Sequence, residues 1–296
     1  MQKEIKFSYA IMLICLSAFI ISGSFYFSFF YYRNVKKNRL LDRSYYISSI
    51  IQTGPEKEAL KTKYLAELLD ISVDNPTNIY LFDEKKGEAK LLASPLIKNA
   101  KIKKIKPNTL YIDYSVRSPI ALLGDYDNIA VDDEGYLFPI DPYINVRNIP
   151  KIYLDSEWFN TNKVWKLDLL EKKSKLAFSV LKMLLSSNFT DKFEVKEIDV
   201  STAFSDSYGR REIVLKIEDK MIIKNKEDVL CIFPRILRLS SKDYLKQIGN
   251  YLNLREKIID DYKRQIDSLN VENNEVRFLE KIFDFRISNL AFIDDV

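Results

Sequence analysis

The stretch Val116-Arg117-Ser118-Pro119-Ile120-Ala121-Leu122-Leu123-Gly124-Asp125-Tyr126-Asp127-Asn128-Ile129-Ala130-Val131-Asp132-Asp133-Glu134-Gly135-Tyr136-Leu137-Phe138-Pro139 divides the chain. An extended run reaches Arg117, and Pro119 interrupts it, because proline gives no N–H to a strand ladder and biases its neighbour away from helix. Apolar residues continue to Leu123, and turns follow at Gly124-Asp125 and Asp127-Asn128. The chain re-enters as Ile129-Ala130-Val131 and turns again at Asp133-Glu134-Gly135. This pattern of short strands and turns predicts that one small domain ends near residue 116 and another begins at 117.

On the amino-terminal side, residues 46–51 read as a strand closed by Gly54-Pro55. A helix is predicted over 56–69, with Leu60, Tyr64, Leu65, Leu68 and Leu69 on one face, and Asp74-Asn75-Pro76 breaks it. After Ile79-Tyr80-Leu81-Phe82, a second helical patch is predicted over 89–100, interrupted at Ser94-Pro95. Next come a short strand at 102–105, a turn at Pro107-Asn108, and a strand at 109–116 that places Leu110, Ile112, Tyr114 and Val116 on one face. Two helices on one face of a three-stranded sheet would bury both apolar sets. The basic run Lys98, Lys101, Lys103, Lys104 and Lys106 reads as a solvated face in preference to a partner or lipid contact.

On the carboxyl-terminal side, a strand at 151–154 precedes a loop or insertion over 155–163 that contains Trp158. An amphipathic helix is predicted over 167–185, its stripe marked by Leu167, Leu170, Ala177, Val180, Leu181 and Leu184. Residues 193–200 alternate imperfectly, which leaves room for a bulge. A strand at 211–217, a turn near Asp219-Lys220 and a strand at 221–223 follow, and 229–239 extends the sheet, with Pro234 marking an edge or break. A long helix runs from Ser240 or Ser241 to about residue 266. Residues 281–290 read as the closing strand, with Phe283, Phe285 and Ile287 on one face and Asp284, Arg286 and Ser288 on the other.

The whole is α+β: an apolar amino-terminal span, a small β-α-α-β-β domain, and a mixed domain with an antiparallel sheet and flanking helices. Residues 7–32 carry no charge in 26 positions, about 39 Å as helix against roughly 30 Å of hydrocarbon. Phe25 to Tyr32 crowd aromatic rings at its end, where Tyr favours the headgroup boundary. A cleaved signal peptide with Ser22-Gly23-Ser24 near its cleavage site is the rival, opposed by the apolar run that continues past Ser24. The expected boundaries are a tail at 1–6, the span at 7–32, a polar linker at 33–45, domains at 46–116 and 117–292, and a tail at 293–296.

The net charge of +4 is concentrated near the span, since seven basic and two acidic residues lie at or before Arg43 and the remainder holds 39 basic and 40 acidic groups. Nucleic acid is therefore not expected as a partner. Lys3 and Lys6 before the span against Arg33, Lys36, Lys37, Arg39 and Arg43 after it favour a cytoplasmic bulk by the positive-inside count, unless the later cations touch anionic headgroups. With no histidine and two distant cysteines, neither a disulfide framework nor a zinc spacing exists; no cofactor and no metal are expected.

Several motifs in this order resemble the bacterial cell-division FtsQ/DivIB family: one span, then Tyr64-Leu-Ala-Glu-Leu-Leu, Ser94-Pro-Leu-Ile-Lys-Asn-Ala, Lys103-Lys-Ile-Lys-Pro-Asn-Thr-Leu, Arg117-Ser-Pro-Ile-Ala and Val131-Asp-Asp-Glu-Gly-Tyr-Leu-Phe-Pro. Phe283-Asp-Phe-Arg-Ile is similar to the family's terminal strand. The resemblance implies a POTRA domain at 46–116 and a β domain at 117–292. It implies a cytoplasmic amino terminus, an inner-membrane location with the bulk periplasmic at the division site, and no catalytic residues. It further implies FtsB/DivIC-like and FtsL-like partners for the β domain, other division proteins for the POTRA domain, and contact with membrane lipid. Arg117, Pro119, Asp132 and Gly135 are the expected turn motif.

Strand addition is the mechanism expected of this scaffold: a partner segment completes the ladder of an edge strand at Phe283, Asp284, Phe285, Arg286, Ile287 and Ser288, with Arg286 pairing a partner carboxylate. A protected edge with no partner is the plainer account. A carboxylate enzyme using Asp132, Asp133, Glu134, Asp125 and Asp127 is disfavoured, because consecutive residues of a tight turn point different ways. A POTRA-bearing assembly factor for export or outer-membrane proteins is the remaining alternative.

Overall fold

The computed structural model describes residues 7–54, 60–72, 74–141, 143, 148–155, 165–224, 228–267, 275–288 and 290–295. The architecture is α+β, and the chain divides into two compact units, Met1–Val116 and Arg117–Val296. The first begins with α1, Phe7–Leu41, whose segment Ile11–Leu41 is long and apolar enough to cross a membrane. The polar linker expected at 33–45 is a correction: α1 continues to Leu41, because Arg33 to Leu41 contains no Pro or Gly and is rich in good helix formers. Asp42 then caps a short 3-10 turn, Arg43–Tyr45, by accepting from the Ser44 N–H at 2.8 Å.

Where α1 ends, its last carbonyls need donors. The Asn78 side chain supplies them, its Nδ2 donating to the carbonyls of Arg39 at 3.0 Å and Leu40 at 3.2 Å. Asn78 is buried, and its Oδ1 accepts from the Tyr80 N–H at 2.9 Å.

The rest of the unit is β1 (Ser49–Thr53), α2 (Thr62–Leu68), α3 (Glu84–Leu92), β2 (Ile97–Ile105) and β3 (Thr109–Val116). The sheet order is β1-β3-β2, with β1 parallel and β2 antiparallel to the central β3. Leu110, Ile112, Tyr114 and Val116 of β3 are buried, as are Leu65 and Leu91 of the helices. The second helix ends at Leu92 instead of running to 100, since Ser94-Pro95 stops it and releases Ile97 into β2. The first is shorter at its start than 56–69, and residues 55–59 lie outside the described residues. Gly87 in α3 lets the helix approach closely, because a Cβ there would stand 2.7 Å from the Phe82 ring and 2.9 Å from Ile102. The outer strand β2 is guarded: Glu88 accepts from the Ile102 N–H at 2.9 Å and Glu84 from the Lys104 N–H at 3.0 Å.

The second unit holds β4 (Ala121–Leu123), β5 (Ile129–Val131), β6 (Leu137–Pro139), β7 (Lys151–Tyr153), α4 (Lys172–Leu184), α5 (Ser187–Thr190), β8 (Glu194–Asp199), β9 (Ile213–Lys224), β10 (Asp228–Leu239), α6 (Tyr244–Asp267), β11 (Glu275–Arg277), β12 (Lys281–Asp284) and β13 (Phe292–Asp295). Its sheet runs β13-β12-β10-β9-β8-β7-β4-β5-β6, with β11 also paired to β10. Ala177, Val180, Leu181 and Leu184 of α4 and Ile248 and Tyr251 of α6 bury against Ile198, Leu215 and Leu237 of the strands. Leu170, placed on the buried stripe, is instead 86 % exposed, since α4 begins only at Lys172. The β8 register shifts between Val195 and Glu197.

Three further expectations change. No turn occurs at Asp219-Lys220, because β9 is continuous through both. Pro234 breaks nothing: it sits inside β10 opposite Glu218 of β9, and on the other side it falls in the gap between the β11 pairing, which stops at Ile232, and the β12 pairing, which starts at Arg235, so its missing N–H is tolerated on that side. The last strand is not 281–290, and 293–296 is not a tail, because Phe292–Asp295 pairs antiparallel with Lys281–Asp284. The insertion around Trp158 lies outside the described residues.

Asp219 explains why β9 does not turn there. It is buried, accepting from the Tyr251 hydroxyl and from Arg255 Nε, each at 2.6 Å. Burial and the Asp219 carboxylate push the Tyr251 hydroxyl well above the usual tyrosine range, keeping it protonated as the donor. Replacing Asp219 by Ala would leave Arg255 and the Tyr251 hydroxyl without their acceptor. We expect Asp219→Ala to cost about 3–5 kcal/mol and Tyr251→Phe about 1 kcal/mol, measured by thermal unfolding of the detergent-solubilised chain; equal losses would show that the carboxylate does not organise this cluster.

Candidate functional site

At the start of the second unit, Arg117, Asp132 and Gly135 assemble one turn. Asp132 is almost fully buried, its Oδ1 accepting from the N–H groups of Glu134 at 3.0 Å and Tyr136 at 2.8 Å, and its Oδ2 from Arg117 Nη1 at 2.7 Å. The Arg117 guanidinium lies 3.6 Å from the Tyr136 ring centroid. Gly135 adopts φ +85°, and a side chain there would also press on Leu169. Pro119 stands before the ladder, which begins as Ile120 donates to the Val131 carbonyl at 2.9 Å. The carboxylates share no cleft: Asp132 points inward, Asp133 and Glu134 are exposed, and Asp125 accepts from the Leu154 and Asp155 N–H groups. Among the described residues, no cluster of three or more His, Cys, Asp or Glu could hold a metal.

At β12 the six expected partner residues separate. Phe283 and Phe285 are core residues, edge-on to Tyr251 at 5.6 and 6.5 Å, and are closed to any partner. Arg286 is also occupied, its Nη2 lying 2.7 Å from Asp284 Oδ2 and its Nη1 3.2 Å from Glu212, which also binds Arg238 at 2.7 Å. Burial acts to raise the Asp284 carboxyl, but hydrogen bonds from the Arg286 side chain and backbone outweigh it and hold the carboxyl below the usual range. Ile287 and Ser288 are exposed, and Asp284 and Arg286 are partly so. Nor is β12 an edge strand, since β10 flanks one side and β13 the other.

The sheet ends at β13. Beside it lies a groove of about 610 Å³ lined by Phe204, Tyr208, Arg211, Arg286, Ile287 and Phe292. Four of these are exposed apolar or aromatic groups, with Tyr208 at 82 %. Phe204 and Tyr208 carried a sequence signal that was missed, being large rings within the polar run Ser201 to Arg211 where no strand or helix period buries them. The opposite margin, β6, is covered: Leu137 donates to the Trp165 carbonyl at 3.0 Å and Leu167 to the Gly135 carbonyl at 2.8 Å.

Residues 53–113 match the family described as POTRA domain, FtsQ-type. Comparison with curated proteins gives no match.

Because Asp284 ionises more readily when folded, its contribution to stability is present above the unfolded carboxyl value of about 3.9 and is lost as pH falls through the lower folded value. Amide exchange in β12 and β13, corrected for its intrinsic pH dependence, should therefore quicken below about pH 4. Asp284→Asn should show that quickening at neutral pH; protection unchanged by either treatment would assign the network no role at this margin.

Proposed function

We propose, because residues 53–113 match the FtsQ-type POTRA domain and support an FtsQ/DivIB-family assignment, that the chain is a non-catalytic scaffold of the bacterial division machinery. The span anchors it in the inner membrane with the amino terminus in the cytoplasm and the POTRA fold and second unit in the periplasm. Its POTRA unit faces other division proteins, and its second unit recruits partners of the FtsB/DivIC and FtsL kind.

The observation that carries this reading is the end of the large sheet: β13 terminates the strand order beside a groove bearing Phe204, Tyr208, Ile287 and Phe292. A partner segment adding to β13 gains main-chain hydrogen bonds along the ladder, and alternate side chains enter the groove to give selectivity. Arg286 contributes by holding the groove floor through Asp284 and Glu212, not by pairing with the partner.

Binding of an FtsB/DivIC-type periplasmic segment to the full chain in detergent tests the reading. Removing residues 291–296, or introducing Phe204→Asp with Ile287→Asp, should weaken binding roughly tenfold or more while leaving the unfolding temperature of the unit within a few degrees. Undiminished binding after the truncation would mean that the partner does not use β13.

A further inference from the structure

The first unit carries a second surface feature, where α1 meets the POTRA fold. One face of the helix, Phe27, Tyr31, Tyr32, Lys36 and Arg39, forms with Tyr80 a groove of about 620 Å³. Its chemistry changes along its length, from the Phe27 ring within the uncharged run to two cations beyond it.

Helix geometry locates that change. Lys36 and Arg39 stand four and seven positions past Tyr32, where the uncharged run ends, and thus about 6 and 10 Å further along the axis. A bilayer is about 30 Å thick in hydrocarbon and about 40–45 Å with its headgroups. With α1 spanning and Tyr32 at the hydrocarbon edge, Lys36 falls within the headgroup layer and Arg39 just beyond it, from where its long side chain reaches back to the phosphates, while Phe27 and Tyr31 lie beside acyl chains.

The upper end of the groove is built and charged. Tyr80 is fixed by its N–H to Asn78 and packs edge-on against Tyr45 at 5.2 Å. Arg39 and Lys106 flank its ring at 5.7 and 5.6 Å. Among the described residues no carboxylate pairs with Lys36, Arg39 or Lys106. Next to Tyr80, Leu81 is 67 % exposed, an apolar side chain turned outward at the same end of the domain.

We propose that this groove binds an anionic phospholipid, its acyl chain along Phe27 and Tyr31 and its phosphodiester on Lys36 and Arg39, with Lys106 adding charge from the POTRA side. The lipid would then fasten the base of the POTRA fold to the membrane surface. The inference rests on α1 being a membrane span.

The test is native mass spectrometry of the full chain released from nanodiscs of three parts phosphatidylcholine to one part phosphatidylglycerol. The wild type should retain phosphatidylglycerol and phosphatidylcholine in a ratio roughly tenfold above that of the bulk disc, and Lys36→Gln with Arg39→Gln should return the ratio to bulk. Arg33→Gln with Lys37→Gln removes equal charge from outside the groove and should keep the preference. Bulk composition around the wild type, or equal loss in both double variants, overturns the proposal. Failure of the chain to enter discs removes the premise that α1 spans, and is separately visible as protein without lipid.

Discussion

Every β-sheet has two margins, and the backbone groups there must find water, a side chain or another strand. This chain resolves that constraint differently at each margin. In the first unit, Glu84 and Glu88 reach from α3 to satisfy N–H groups of β2, so that margin is blunted from within. In the second unit, the segment from Trp165 to Leu167 covers β6. At the far side the sheet gains β13, four residues long, and the exposed rings of Phe204, Tyr208 and Phe292 cluster there. An apolar patch therefore lies where the strand order stops.

Buried charge is used sparingly, each time to fix one element against another. Arg117 and Asp132 close the turn at which the second unit starts, and Asp219 fastens α6 to the middle of the sheet through Tyr251 and Arg255. An apolar core of Leu and Ile tolerates sliding, whereas a hydrogen-bonded carboxylate accepts one geometry. Of the acidic residues weighed as a reactive group, Asp132 and Asp125 are consumed in architecture, whereas Asp133 and Glu134 stay exposed.

Legibility in the sequence followed locality. The α+β class and β3 were readable because Leu110, Ile112, Tyr114 and Val116 alternate without interruption. The turn at Asp132 to Gly135 was readable because its residue types dictate their own backbone. What failed depended on distant partners. Asp219 looks like a turn residue until Tyr251 and Arg255, more than thirty positions away, supply its hydrogen bonds. The helix at 89–100 was misplaced because Leu96 and Ile97 fit a helical face as well as a strand. For the candidate site, alternation distinguished Phe283 and Phe285 from Asp284 and Arg286, but being an edge is a property of the whole sheet. Only the pairing of Phe292–Asp295 shows that β12 is interior and that Arg286 is already engaged.

The amide of Asn78, grasping the final carbonyls of α1, joins a rod to a folded body at a fixed azimuth. A helix turns by about 100° per residue. Lengthening the rod by one residue ahead of that joint would thus swing the attached body by over a quarter revolution about the rod's axis, while lifting it only about 1.5 Å. With α1 spanning, the number of residues between bilayer and joint would therefore set the azimuth of the POTRA fold far more strongly than its height.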